Sequence, residues 1–154
     1  GFVSTELVHY DFERASQSWY ELTDNGYITN SHRADGSKLF GISLSIKPNR
    51  SAIAVSTLLM DAVARYIVRN DIECAFFGSR MPGYHKHHER YKPEEYIFAT
   101  NKFGRLLDPE LAIYSKWGMM PVKVVPEYFE DPESLNYGVM VVWNNPQRKK
   151  GSCW

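Results

Sequence analysis

Among the groups in this chain that could handle a proton, one phenol has the most defined setting. In "DPELAIYSKWGM", residues 108–119, Tyr114 lies four residues before a glycine that ends a short helical pattern. A tyrosine hydroxyl, with a pKa of about 10, is protonated at neutral pH and can donate to an anion departing in an apolar slot. Ser79 and Arg80 end the apolar run "IECAFFGS", and Glu73 stands at its start. His85, His87 and His88 in "HKHH" carry imidazoles, the side chains that titrate nearest neutrality. That cluster lacks the separated ligand pairs of a closed zinc site and reads as a solvated loop, so no metal is expected. Cys74 and Cys153 are too few for a disulfide framework or a CxxC site, and Cys74 reads as a small buried hydrophobe.

The elements that must position these groups follow from periodicity. "GFVSTELV" opens the chain as a strand, and residues 9–36 are polar and aromatic with turn signals at Asp24-Asn25-Gly26 and Asp35-Gly36. In "LFGISLSIKP", residues 39–48, Leu39, Gly41, Ser43 and Ser45 alternate with Phe40, Ile42, Leu44 and Ile46, a half-buried strand ended by Pro48. Val55, Leu58, Leu59, Ala62, Val63 and Tyr66 then fall on one face of a helix. The continuous apolar run of residues 72–79 suits a strand covered on both faces, so residues 39–79 read as a βαβ unit with parallel strands. A helix opens at Pro93 with Glu94 and Glu95 in its first turn, and another has Asp108 as N-cap, Pro109 in the first turn and Gly118 past its end. "VKVVPEYF" and "YGVMVVW" are strands flanking "EDPES".

The bulk numbers set limits. The chain has 154 residues, enough for one domain with a real core, and Lys+Arg and Asp+Glu balance at 18 each. That balance gives no field to draw nucleic acid or an anionic membrane surface, and no apolar stretch approaches the length of a bilayer span. No signal peptide is evident, and the sequence reads as that of a cytoplasmic protein with neither nucleic acid nor membrane as partner. Residues 1–146 form the expected domain, with the basic tail 147–154 expected to be disordered.

Taken together, "SRMPGYH", "DPELAIYSKWG", "VVPEYFEDPES" and "YGVMVVWNNP" resemble the GNAT superfamily, the Gcn5-related acyltransferases that use acyl-CoA. The resemblance runs from "GFVS" to "VVWNNP" and is nearest in flavour to GNAT domains fused to nitrilases or serving as polyketide synthase loading domains. It implies an α/β (α+β) GNAT fold: a central mixed sheet with a βαβ unit and flanking helices. In that alignment Gly1 enters at the family's third strand, so the expectation is a chain without the family's leading elements.

The resemblance also implies site residues. The family's pyrophosphate loop falls on "PNRSAIAVS", residues 48–56, with its two glycine positions at Ala54 and Ser56 and its basic position at Ser51, beside Arg50. The cofactor-binding set expected is Ser45, Ile46, Lys47, Arg50, Ser51, Ala52, Ile53, Ala54, Val55 and Ser56, where small residues let backbone N–H groups approach a diphosphate. Tyr114 matches the family's Y-x-x-x-G tyrosine, which contacts the CoA sulfur and acts as general acid to the departing thiolate, and Ser79 falls near a fifth-strand threonine of the decarboxylating relatives. Backbone amides of the fourth and sixth family strands are expected to splay apart around the pantetheine.

The function expected is acyl transfer, typically acetyl transfer from acetyl-CoA or another acyl-CoA, to an amine or an acyl-carrier thiol. The base is unassigned. Two alternatives stand beside it: a weakened binding or loading module, on the strength of the lost glycines, and a malonyl-CoA decarboxylase. Decarboxylating relatives carry histidine where this chain has Tyr114 and arginine where it has Phe129, and phenylalanine cannot grip a carboxylate. Membership of a larger chain or of a homodimer is left open.

Overall fold

The computed structural model describes residues 1–148 and residue 153. Five strands form one mixed sheet in the order β1-β2-β3-β5-β4. The strands are β1 (Phe2–Val8), β2 (Lys38–Ser45), β3 (Cys74–Ser79), β4 (Met120–Val125) and β5 (Gly138–Asn144), and the helices α1 (Trp19–Leu22), α2 (Ala52–Arg69), α3 (Pro93–Tyr96) and α4 (Pro109–Lys116). β2 and β3 run parallel across the α2 crossover, and the other neighbouring pairs are antiparallel. The βαβ unit read from periodicity is therefore present.

Both faces of β3 are covered. Cys74 and Phe76 join Tyr10, Phe12, Phe40, Tyr128 and Met140 on one face, while Ala75 packs with Leu39, Ile67 and Ile72 on the other. Phe76 is the hub of the first cluster, with ring centroids 4.7 Å from Tyr10, 5.0 Å from Phe12 and 5.1 Å from Phe40. Tyr84, Tyr96, Leu111, Met119 and Val141 form a third core cluster beneath α4.

Two expectations change. The apolar face of α2 is rotated from the one read in the sequence. Ser56 and Ile67 are its buried residues, whereas Leu58 and Tyr66 are 65% and 47% exposed. The helix is apolar on more than one side, so spacing alone does not choose the buried stripe. The helix expected from Pro93 is present as a single turn, with Glu94 and Glu95 in it. Cys74 is not a free buried thiol: it is disulfide-bonded to Cys153 across 79 residues of sequence. The end of the chain folds back, Cys153 N–H donating to Asn144 Oδ1 at 3.0 Å. Residues 149–152 and 154, most of the tail expected to be disordered, lie outside the described residues. Among the described residues no helix is long and apolar enough to cross a membrane.

Candidate active site

The sheet opens where β2 and β3 part. They are registered only at Leu39–Ala75 and Phe40–Phe76, although both strands continue beyond those pairs. Three features drive them apart. The β1–β2 register passes from Ser4–Ser43 to Thr5–Gly41, leaving Ile42 as the extra residue of a bulge, and a bulge bends its strand. The Ile42 carbonyl is then taken by the Trp19 indole N–H at 3.2 Å rather than by β3. On the other side, the end of β3 is clamped to the connection leading into β5. Arg80 binds Asp131 through two 2.8 Å hydrogen bonds and Glu133 through a third, and Met81 N–H donates to Ser134 Oγ at 3.0 Å. Gly41 leaves room at the fork, since a Cβ there would stand 3.2 Å from the Phe77 Cβ.

The gap is a cavity of about 270 Å³. Gly41, Ile42, Ser43 and Leu44 of β2 form one wall and Phe77, Gly78 and Ser79 of β3 the other. Met60 and Val63 of α2 and Glu110, Tyr114 and Trp117 close it from the helical side. Both alternating sets of β2, Gly41 and Ser43 as well as Ile42 and Leu44, thus reach the cavity. The splay lies between the family's fourth and fifth strands, β2 and β3, not between the fourth and the sixth; β4 is the far edge of the sheet.

Tyr114 reaches the cavity because α4 is fixed at both ends. Asp108 caps it, Oδ1 accepting from Glu110 N–H at 3.0 Å and Leu111 N–H at 3.2 Å, while Oδ2 accepts from Gly83 N–H at 3.0 Å. Gly118, at φ +76°, ends it in the left-handed conformation. The Tyr114 ring packs edge-on to Phe77 with centroids 4.8 Å apart. Burial first, then the nearby charges of Glu110 and Asp108, push its hydroxyl up to about 12, partly offset by Ser79 and Arg80. It is a neutral phenol throughout the physiological range. Ser79 is buried beside it, its hydroxyl donating to the Arg80 carbonyl at 2.6 Å.

Tyr114, Ser79 and Arg80 therefore share one cavity, and the other sequence candidates do not line it. Ser45 ends β2 one residue past the cavity rim at Leu44; Ile46, Lys47, Arg50 and Ser51 form the β2–α2 loop, and Ala52, Ile53, Ala54, Val55 and Ser56 the first turns of α2. Ser51 is the N-cap but makes no side-chain capping bond. Glu73 pairs with Lys38 at 3.1 Å, away from the gap. The loop histidines are occupied locally: His85 Nδ1 meets the Pro82 and Glu133 carbonyls, His88 Nδ1 the His85 carbonyl, and His87 stacks on Tyr96.

Glu110 is the cavity residue that sequence reading missed. It lies one helical turn before Tyr114, and Oε1 stands 3.6 Å from Arg80 Nη1. Burial first raises its pKa, Arg80 opposes this, and Asp108, Asp131 and Glu133 add to it. The i, i+4 spacing from Tyr114 was a readable signal, since it places both side chains on one helix face.

No family model matches the chain. It is 32% identical over 153 residues to an uncharacterised N-acetyltransferase, YkwB, of Bacillus subtilis (strain 168), the match covering 99% of this chain and 67% of that protein. It is 29% identical over 155 residues to a probable hydrolase, YhcX, of the same organism, covering 97% of this chain but only 30% of the hydrolase. Among solved structures, the loading GNATL domain of CurA from Lyngbya majuscula superposes with a TM-score of 0.73 at 18% identity, over 95% of this chain and 71% of that one. The GphF GNAT-like decarboxylase, solved with isobutyryl-CoA, gives 0.70 at 19% identity, over 93% and 71%.

Proposed function

The chain belongs to the GNAT superfamily, and on that premise we propose that it transfers an acyl group from an acyl-CoA thioester, acetyl-CoA being the simplest, to an amine or a carrier thiol. The observation that carries this reading is the meeting, in one cavity, of two strand edges that no longer pair with each other and a neutral phenol. Backbone groups left unpaired at such a fork need partners, and an extended pantetheine arm carries amides that supply them. Its sulfur would arrive beside Tyr114, with the buried Ser79 on the facing end of β3.

The pKa of Tyr114 limits what it does. An ordinary thiol titrates near 8.5, so complete proton transfer from a phenol at about 12 would cost on the order of 5 kcal/mol. Tyr114 therefore stabilises the departing thiolate as a hydrogen-bond donor, and passes its proton only as the acceptor's own proton comes free. The diphosphate would sit at the start of α2, where Lys47 and Arg50 are exposed and, among the described residues, form no ion pair. The first-turn amides lie beside them, at the positive end of the helix dipole.

Transfer is favoured over decarboxylation by one contact. Arg80, the cation on the cavity wall, is already bidentate on Asp131, which leaves it poorly placed to hold a malonyl carboxylate. The test is calorimetric titration with acetyl-CoA, paired with thiol-release assays using primary amines and a phosphopantetheinyl carrier protein, and a CO2 assay with malonyl-CoA. Saturable binding and acceptor-dependent thiol release are expected. Binding without turnover would replace the reading with a loading or binding module, and CO2 release from malonyl-CoA without acceptor would replace it with a decarboxylase.

A further inference from the structure

Acyl transfer to an amine needs a group that takes a proton, because the acceptor arrives as an ammonium, with a pKa of about 10 for a lysine-like amine. Three titratable side chains line the cavity: Arg80, Tyr114 and Glu110. Arg80 has no lone pair to offer and is committed to Asp131 and Glu133. Tyr114 holds its own proton. Among the described residues Glu110 has a free carboxylate oxygen, and its one ionic contact there, 3.6 Å to Arg80, is too long for a hydrogen bond. Its side chain is 28% exposed, open enough to reach an incoming acceptor directly or through one water.

We propose that Glu110 is the proton acceptor of the transfer step, working from the same helix face as Tyr114 and one turn away. This rests on the transferase reading of that cavity. The ammonium gives one proton to the Glu110 carboxylate, and the freed lone pair attacks the thioester carbonyl carbon to form the C–N bond. Collapse breaks the C–S bond, and the thiolate takes the Tyr114 proton as the nitrogen's second proton passes to the phenol oxygen. The products are an amide, CoA thiol and a protonated Glu110 that returns its proton to solvent.

The groups facing Glu110 fix the direction of its titration. Arg80 at the end of β3 favours its charged form. Asp131 and Glu133 in the connection before β5, and Asp108 on its own helix, oppose that form, as burial does. The acidic limb of a pH–rate profile should therefore lie above the ordinary glutamate range, with activity rising as pH climbs through it.

The experiment compares wild type, Glu110→Gln and Glu110→Asp over pH 4–9. It follows kcat/KM for thiol release from acetyl-CoA, with water as acceptor and with whichever of spermidine, tyramine or a lysyl peptide turns over. Acetyl-CoA affinity is measured by calorimetry on the same samples. Glu110→Gln is expected to bind acetyl-CoA within about threefold of wild type, to lose roughly 100-fold in kcat/KM, and to lose the acidic limb. Glu110→Asp should restore the limb at reduced rate. A glutamine variant that keeps the limb, at full or uniformly lowered rate, would overturn the assignment and leave Glu110 as a structural neighbour of Arg80, with the transferase reading intact. A wild type that neither binds nor turns over acetyl-CoA would overturn both.

Discussion

The two edges of β3 have different fates. Along β5 the strand is registered throughout, from Cys74 opposite Asn144 to Ser79 opposite Val139; along β2 the register stops at Phe76. On the β5 side, Gly78 and Gly138 leave a floor on which the Tyr128 ring lies so close that a Cβ on either would overlap it. The Arg80–Asp131 clamp then continues the attachment past the strand's end. On the β2 side, the bulge at Ile42 and its bond to Trp19 carry the neighbouring strand away. A saturated edge holds the fold together; an unsaturated one offers backbone groups to a ligand.

Each edge can be broken separately. Phe76→Ala removes the hub of the aromatic cluster and should cost about 3–5 kcal/mol in urea unfolding, the largest effect expected. Asp131→Asn loosens the clamp and should cost about 1–2 kcal/mol at pH 7. The hydrogen bond from Arg80 is the main cause holding the Asp131 carboxyl below its usual range. Its stabilisation is therefore present above the unfolded aspartate pKa of about 3.9 and lost as pH falls through the lower folded value. The acid-unfolding curve of the variant should be shallower there, and a cost unchanged by pH would contradict the clamp. Gly41→Val fills the fork and should weaken acetyl-CoA binding roughly tenfold, at a cost in stability of about 1–3 kcal/mol as the Phe77 side gives way. Equal affinity in that variant would place the ligand elsewhere.

The sequence made the regular elements readable and left the irregular ones hidden. The ends of α4 were spelled out by Asp108, Pro109 and Gly118, because a capping carboxylate and a left-handed glycine act locally. The βαβ unit followed from a change of period. The capping box of α1, Ser18 with Glu21, is equally local but is masked by the aromatic stretch around it. The bulge at Ile42 has one local sign, Gly41 inside the strand, but its place is defined by what β1 does opposite. The disulfide depends on a tail returning across 79 residues, a distance no spacing rule covers. Tyr114 was found through its motif, whereas Glu110 needed the cavity to be seen.

The most direct measurement is thiol release from acetyl-CoA by Tyr114→Phe, with calorimetric affinity taken on the same protein. Loss of the hydroxyl leaves the ring and its packing on Phe77 in place. The expected result is affinity within about threefold of wild type and turnover lower by roughly 100-fold or more. Turnover within a few-fold of wild type would contradict the role of the phenol at the fork.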